Sequence, residues 1–370
     1  MTSIDFQAIK NVDRKEWEQF TSQAVDPYYI NQEYEYAKIM ESGGISPIYF
    51  LSIRDSTGKI NSGIVLYSSK TIFGEILTSN GGPVVIDHQS QLLKEGLQHF
   101  IKEYKHRMLN IRLAFIPPSN HLSGTNILKS LRPAMTSIVN LNESTDEVWK
   151  KIKKTRQRHI KSAINSKIEV HKLSTWDQWK SSFDILVNHS NEKGYPLNLN
   201  IHMWKLIFEK YFSNGVGKKI VFGAFYEDKL VGVIVFTTIG GRSTMDILGE
   251  LPTENNYDCS SLLVWKAIEY SKNNNCQSFN LSGLPPVESN LKGIRIFKES
   301  FGGVELPIEE YCTNSAFSIA FNSLRHPNVS NLVNKSFHLM GLENLFWKIK
   351  SPSAGMPLIK KNEQTIDKML

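Results

Sequence analysis

The sequence predicts an α/β (α+β) protein made of two consecutive domains, each a mixed sheet flanked by helices. Three observations support this prediction. Groups of segments with alternating apolar residues, separated by turn residues, indicate strands. Long segments with apolar residues at helical spacing follow those groups. The whole order of elements then occurs a second time, about 170 residues further on, as expected for a duplicated domain.

The first half contains a unit of hairpin, third strand, helix and fourth strand, preceded by two further helices. The hairpin strands flank a short turn, and the long helix carries regularly spaced leucine and aromatic residues. The predicted helices lie at 17–24, 32–42 and 89–108, and the predicted strands lie at 47–54, 60–69, 71–78 and 110–116.

The second half repeats this unit. Its predicted strands lie at 219–226, 230–238, 243–248 and 277–281, with a helix at 260–273. Two more helices are predicted before the repeat, at 176–192 and 201–212. Between the halves, Ser144 and Glu147 form a capping box that opens a helix within 144–166.

The predicted helix at 144–166 is strongly basic. No acidic residue occurs between Glu147 and Glu169, whereas eight Lys and Arg residues do. One interpretation is a solvated basic face. The other is a track for a phosphate backbone, on which each neutralised phosphate makes binding more sensitive to salt. The second interpretation favours RNA or a diphosphate as the ligand.

The stretch 279–303 has the features of a site at the end of a strand. A buried strand at 279–281 is followed by a Gly/Pro loop, a short element with Phe297 and Lys298, and a Gly-Gly stop. Arg295 and Lys298 concentrate positive charge beside apolar residues. Because loops at strand ends on a rigid scaffold often carry function, we expect the site here.

Two sequence runs, GIRIFKESFGG at 293–303 and KTRQRHIKSA at 154–163, resemble motifs of the FemABX family. The resemblance covers the chain from near Ala24 to near Ser315. Members of that family use aminoacyl-tRNA to add amino acids to cell-wall precursors, and they consist of two domains of the GNAT acyltransferase type. The resemblance therefore implies two tandem GNAT-like acyltransferase domains and an enzyme that transfers an aminoacyl group.

The resemblance also implies three catalytic residues. Phe297 and Lys298 match a Phe-Lys pair that lies at the active site in the family. We expect Lys298 near the developing oxyanion or the terminal phosphate of the tRNA, with Phe297 against the terminal adenosine. Tyr257, in the loop before the helix of the second unit, is expected to donate a hydrogen bond.

Five basic residues form the expected substrate-binding set. Arg156, Arg158 and Lys161 match a basic helix that opens the second domain in the family, and Arg295 lies beside Lys298. Lys38 matches a position that grips the phosphate of the acceptor, although the motif around it departs from the family pattern. Some members also hold a nucleotide-linked acceptor with an arginine in the region that corresponds to 193–205, where this chain has none.

The expected acyl donor is aminoacyl-tRNA rather than acyl-CoA. GNAT enzymes that use acyl-CoA hold its pyrophosphate with a Gly-rich loop at a helix N-terminus. No glycine occurs here between Gly249 and the predicted helix at 260–273. Two alternatives stay open: an acyl-CoA-dependent N-acyltransferase that acts on an amino sugar, and a non-catalytic relative that binds tRNA or a membrane.

No metal or resident cofactor is expected, because the histidines and cysteines have no ligand spacing and no nucleotide-binding motif occurs. An activated ester and an amine nucleophile need mainly positioning and charge stabilisation. The expected partners are aminoacyl-tRNA, a nucleotide- or lipid-linked envelope precursor and, by peripheral contact, the inner membrane surface.

Composition and length complete the expectations. The 370 residues, net charge of +7 and absence of a signal-peptide pattern favour a cytoplasmic protein with anionic partners. We expect a first domain at 1–142, completed by about 308–335, a second domain at 143–307, and an amphipathic C-terminal segment and tail at 336–370. That segment either packs on the first domain or lies on an anionic membrane surface.

Overall fold

The computed structural model describes residues 3–313, apart from 26–27, 46, 72–73, 88–89, 105–107, 116–127, 131–133, 194–196, 198, 214–217, 253–257, 286 and 288–290. The strands are β1 Ser3–Ala8, β2 Ile48–Arg54, β3 Ile60–Thr71, β4 Gly74–Asn80, β5 Val84–Val85, β6 Met108–Phe115, β7 Leu128–Ser130, β8 Ala134–Asn140, β9 Glu169–Lys172, β10 Lys219–Tyr226, β11 Lys229–Ile239, β12 Arg242–Glu250, β13 Ser278–Leu284 and β14 Val304–Thr313. The helices are α1 Arg14–Ser22, α2 Tyr34–Ser42, α3 Ser90–Tyr104, α4 Thr145–Lys151, α5 Lys154–Asn165, α6 Trp176–Lys193, α7 Ile201–Phe208, α8 Cys259–Asn273 and α9 Lys292–Glu299.

The two halves have the same topology, which confirms the predicted α/β class and the duplication. In the first half, β2, β3 and β4 are antiparallel neighbours, and β6 returns parallel to β4 after helix α3. In the second half, β10, β11 and β12 are antiparallel neighbours, and β13 returns parallel to β12 after helix α8. Each half is therefore a mixed sheet with a crossover helix.

Strand β14 joins the two sheets. Its residues 304–308 pair with β8, and its residues 309–312 pair with β6 of the first half. The predicted return of the chain to the first half is therefore present as far as Thr313, and the rest of the predicted strand at 308–321 lies outside the described residues. Strand β8 precedes the expected boundary at 142 but pairs with β13. The domain boundaries stay a prediction, and the segment 336–370 lies outside the described residues.

The basic stretch between the halves is two helices, and the expectation of one helix over it was wrong. The predicted capping box at Ser144 and Glu147 is present and begins α4. The chain then leaves the helix at Ile152 and Lys153, which have extended ψ values of 130° and 138°. Ile152 is buried, and the Lys153 N–H donates to the Ser300 carbonyl at 2.9 Å. Burial of Ile152 and this tertiary hydrogen bond stabilise the break more than the helical propensity of these residues would stabilise a continuous helix.

One apolar cluster extends across both halves. It includes Trp17 and Tyr36 from the first half and Trp179 and Trp204 from the second. The ion pair between Lys218 of the second half and Glu33 of the first lies beside it. Because the halves share a core, side chains from both can form the walls of one cleft.

Candidate active site

The parallel pairing of β12 with β13 is short. Residues 242–244 pair with 278–280, and the pairing stops there although both strands continue. Beyond this point Ser282 takes a left-handed φ of 65°, which costs energy for a residue with a side chain. The Asn280 side chain holds this backbone, because its Oδ1 accepts from the Ser282 N–H at 2.8 Å and from Thr136 Oγ1 at 2.6 Å. The result is a gap between two neighbouring strands.

A cavity of about 930 Å³ opens at this gap. Its size is within the range of ligand pockets. The first half contributes aromatic residues from the segment before α2, and the second half contributes β12, α6, α7 and α9. The charged residues in its wall are Lys193, Lys219, Arg242, Asp246, Glu250 and Lys298. Basic groups outnumber acidic ones, so the cavity favours a ligand with anionic groups.

Lys298 lies in the wall of this cavity, as predicted from the sequence. The side chain is half-buried, and Nζ donates to the Gly283 carbonyl at 2.8 Å. Burial lowers the pKa of Lys298 to about 8. The ammonium is therefore held at the end of β13, beside the gap where β12 and β13 stop pairing. Its catalytic role stays a prediction.

Phe297 and Arg156 lie together beside Lys298. The Arg156 guanidinium lies 4.4 Å from the centroid of the Phe297 ring, a cation–π distance. Arg156 Nε donates to Ser300 Oγ at 2.8 Å, and Nη1 donates to Ser261 Oγ at 2.5 Å. No carboxylate forms an ion pair with Arg156 within the described part of the chain. A half-buried guanidinium held by two hydroxyls can bind a phosphate bidentately.

Phe297 also lines the cavity, whereas the predicted basic residues other than Lys298 are not in its described wall. Arg295 is engaged by Glu299 at 2.5 Å and by Glu305, so it fixes α9 against β14. Lys38 is exposed on α2 and pairs with Glu41 at 2.7 Å. Arg158 and Lys161 are exposed on α5. Tyr257 lies outside the described residues. Substrate binding by these residues stays a prediction.

The sequence reasoning missed a polar cluster inside the cavity. Lys219 is 4% exposed, and its Nζ donates to Thr237 Oγ1 at 2.7 Å and to Asp246 Oδ2 at 2.9 Å. The Lys219 Nζ also lies 5.7 Å from the centroid of the Tyr36 ring. A usable signal was in the sequence: Lys219 is the one charged residue of the otherwise apolar strand β10.

The N-terminus of α8 is occupied by acidic side chains. Glu250 accepts from Ser260 Oγ at 2.6 Å, and Asp258 pairs with His159 at 2.7 Å. Negative charge near a helix N-terminus is stabilising, and it competes with an anionic ligand there. This end of α8 is the position at which a GNAT enzyme would hold the pyrophosphate of CoA.

Solved structures with the same architecture cover most of this chain. FemX has a TM-score of 0.65 at 10% identity, over 85% of this chain and 98% of FemX. The C-terminal domain of a putative lysylphosphatidylglycerol synthetase from Agrobacterium fabrum has a TM-score of 0.57 at 11% identity, over 87% of this chain and 96% of that domain. The L-PGS structure from Bacillus licheniformis has a TM-score of 0.57 at 12% identity, over 86% of this chain and 96% of that chain.

The chain has the FemABX-like tandem GNAT fold. This confirms the fold that the resemblance of the two motifs implied. No protein-family model matches the sequence, and no curated protein matches it. At identities near 10%, the structural similarity establishes the fold alone, so chemistry must be argued from the site. None of the described helices combines the length and the hydropathy needed to cross a membrane.

Proposed function

We propose that the protein transfers an aminoacyl group from aminoacyl-tRNA to an amine of a cell-envelope precursor. One observation carries this proposal: Lys298 lies in the wall of a cavity that both halves build, at the gap where β12 and β13 stop pairing. The similar structures FemX and the lysylphosphatidylglycerol synthetase domain have this fold. The second is named for an aminoacylated lipid.

The charges around the gap support an RNA donor. Arg156 presents its guanidinium on the Phe297 ring without a described ion-pair partner, which suits a phosphate next to a stacked base. Asp258 and Glu250 stand at the N-terminus of α8, which disfavours a CoA pyrophosphate at that helix end. The exposed Arg158 and Lys161 extend the positive surface along α5.

The proposed reaction is aminolysis of an ester. The nitrogen of the acceptor attacks the ester carbonyl carbon, and negative charge develops on the carbonyl oxygen. The ester C–O bond then breaks, the ribose oxygen leaves with a proton, and the attacking nitrogen gives up a proton. Lys298 stabilises the developing negative charge as an ammonium, and its lowered pKa also suits proton donation to the leaving oxygen.

The acceptor is proposed to be a nucleotide- or lipid-linked precursor in the cytoplasm, with the basic surface allowing peripheral contact with an anionic membrane. The excess of basic groups in the cavity wall fits an acceptor that carries phosphate or carboxylate groups. Lys193 and Arg242 belong to that wall, and Lys38 stays the predicted contact with the phosphate of the acceptor.

The test is transfer from charged total tRNA to candidate precursors, with mass analysis of the products. We expect a product heavier by one aminoacyl residue, and no product with uncharged tRNA. Binding and turnover of acetyl-CoA in the absence of RNA would replace this proposal by an acyl-CoA-dependent N-acyltransferase. Binding of tRNA without transfer to any amine would indicate a relative that has kept the fold and lost the chemistry.

A further inference from the structure

The cavity contains a carboxylate whose position is fixed from one side. Asp246 Oδ2 accepts two hydrogen bonds, from Lys219 Nζ at 2.9 Å and from Thr237 Oγ1 at 2.6 Å. Within the described residues, Asp246 Oδ1 has no hydrogen-bond partner. The Asp246 side chain is 26% exposed, and the residue lines the cavity. One oxygen therefore anchors the group, and the other is free to accept from a ligand.

A β-bulge directs Asp246 into this position. Val235 pairs with Ile247 and Phe236 pairs with Met245, so Asp246 is the extra residue of β12. Bulges change the direction of a side chain and are frequent next to active sites. Burying the Lys219 ammonium costs free energy unless a carboxylate pairs with it, and the bulge supplies Asp246 for this purpose. An apolar pair would stabilise the fold equally well, so the buried ion pair indicates a functional site.

The cluster lies on the sheet face opposite to Arg156 and Phe297. Lys219 and Thr237 alternate with residues whose side chains pack in the other core, and their strand neighbours on the same face, Val221 and Val235, belong to the cluster shared by both halves. Phe297 packs against the core around α8 on the other face and reaches the cavity at the gap between β12 and β13. If the donor lies against Arg156 and Phe297, the partner that reaches Asp246 is the acceptor.

Asp246 and Lys298 are nevertheless close along the backbone. The Ser282 hydroxyl donates to the carbonyl of Met245, the residue before Asp246. Lys298 Nζ donates to the carbonyl of Gly283, the residue after Ser282. The two charged groups thus flank the same junction between β12 and β13, where an ester carbonyl and an attacking nitrogen could meet.

We propose that Asp246 holds the attacking amine of the acceptor, with Oδ1 accepting a hydrogen bond from its N–H. As the new C–N bond forms, the proton of that N–H moves to Asp246. The ester C–O bond breaks, and the leaving ribose oxygen takes a proton from the Lys298 ammonium. This role rests on the function proposed above. Lys219 is a positioning residue, because it acts through Asp246. The other carboxylate in the wall, Glu250, is already engaged by Ser260 and Cys259.

A binding measurement tests the amine site without any need for turnover. The probe is n-hexylammonium, with hexan-1-ol as the neutral match, observed by saturation-transfer NMR on the full chain. We expect a hexylammonium signal in the wild type that falls at least fivefold in Asp246→Asn, while the hexan-1-ol signal is unchanged. Asp228→Asn, the same change in the exposed turn between β10 and β11, should behave as wild type. An equal hexylammonium signal in wild type and Asp246→Asn, or none in the wild type, would overturn the proposal.

Two additions keep the test decisive. Asp246→Asn leaves Lys219 buried without its partner, so the double variant Lys219→Met, Asp246→Asn is measured beside it as a folded protein without the ion pair. In the transfer assay, Asp246→Asn should lower kcat at least 100-fold with the KM for charged tRNA unchanged. If the wild type transfers the aminoacyl group and Asp246→Asn does so with the same kcat, the role of Asp246 is refuted and the proposed function is not. Wild-type failure on every donor would refute the proposed function, and the hexylammonium signal would still decide the amine site.

Discussion

The Arg156 guanidinium lies 4.4 Å from the Phe297 ring centroid and connects helix α5 with helix α9. Both residues belong to the two sequence runs that resemble the family, and the fold brings these runs together although they are separated by about 140 positions. The pair places a positive charge beside an aromatic ring that lines the cavity, and single-stranded nucleic acids bind this combination.

The first prediction concerns Arg156. Arg156→Met should raise the Kd for tRNA about tenfold, because it removes a half-buried guanidinium and its contact with Phe297. The slope of log Kd against log salt should fall by about one. Filter binding at several salt concentrations measures both quantities. Lys229→Met, at an exposed lysine that begins β11, serves as the control, and an equal loss in that variant would show only a general charge effect.

The second prediction concerns stability and Lys298. Burial lowers the pKa of Lys298 from 10.5 to about 8, so between these values the unfolded chain holds a proton that the folded protein has released. The free energy of unfolding of the wild type therefore rises with pH through this window. Lys298→Met removes the cost of a buried charge, and it should be more stable than wild type by about 1–3 kcal/mol at pH 7.

Urea unfolding at pH 7 and pH 9.5 measures this difference. The advantage of Lys298→Met should shrink at pH 9.5, where the wild-type ammonium has lost its proton. Lys292→Met, an exposed position on the same helix, should show no such pH dependence. A wild type that loses stability between pH 8 and pH 9.5 relative to Lys298→Met would contradict the sign of this argument.

The third prediction concerns the pH dependence of transfer. If the ammonium of Lys298 stabilises the oxyanion, the rate should fall as pH rises through about 8, because the group with the lowered pKa then becomes neutral. Lys298→Met should lower kcat by two to three orders of magnitude and abolish that limb of the profile. Single-turnover transfer between pH 6.5 and pH 9.5 measures the profile. Full activity in Lys298→Met would remove the site assignment.

The fold could be predicted from the sequence because each element of the repeated unit has a local pattern of apolar and polar residues. Alternation marked the hairpins, and apolar spacing marked α3 and α8. The Gly-Gly stop after α9 is also explained. Gly302 has φ 77°, and a Cβ there would lie 2.6 Å from the Lys151 carbonyl oxygen, so α9 can dock on α4 only with glycine at this position.

The site was only partly predictable, because the remaining residues depend on tertiary geometry. Lys38 belongs to a helix whose cavity-facing residue is Tyr36, and local sequence does not say which face of α2 meets the second half. Arg295 is taken by Glu305, which β14 brings into reach. Asp246 enters the cavity through a bulge, which shifts the alternation that a strand pattern assumes.

The fourth prediction concerns Asn280, which is fully buried between the halves. Its Oδ1 accepts from Thr136 and from the Ser282 N–H, and its Nδ2 donates to the Tyr29 hydroxyl at 3.0 Å. Asn280→Ala leaves the Ser282 N–H and the Tyr29 hydroxyl without this partner inside the protein, whereas Thr136 Oγ1 can still donate to the Ser282 carbonyl at 3.0 Å. We expect a loss of about 3–5 kcal/mol in the free energy of unfolding, since each buried polar group without a hydrogen-bond partner costs about 1–3 kcal/mol.

Urea unfolding of Asn280→Ala measures this loss. Asn142→Ala, an exposed position near the end of β8, should change the free energy of unfolding by less than about 0.5 kcal/mol. Because Asn280 also holds the end of β13 at which Lys298 is bound, the folded fraction of the variant should bind tRNA normally but transfer slowly. A variant as stable as wild type would mean that the geometry of the strand gap does not depend on this side chain.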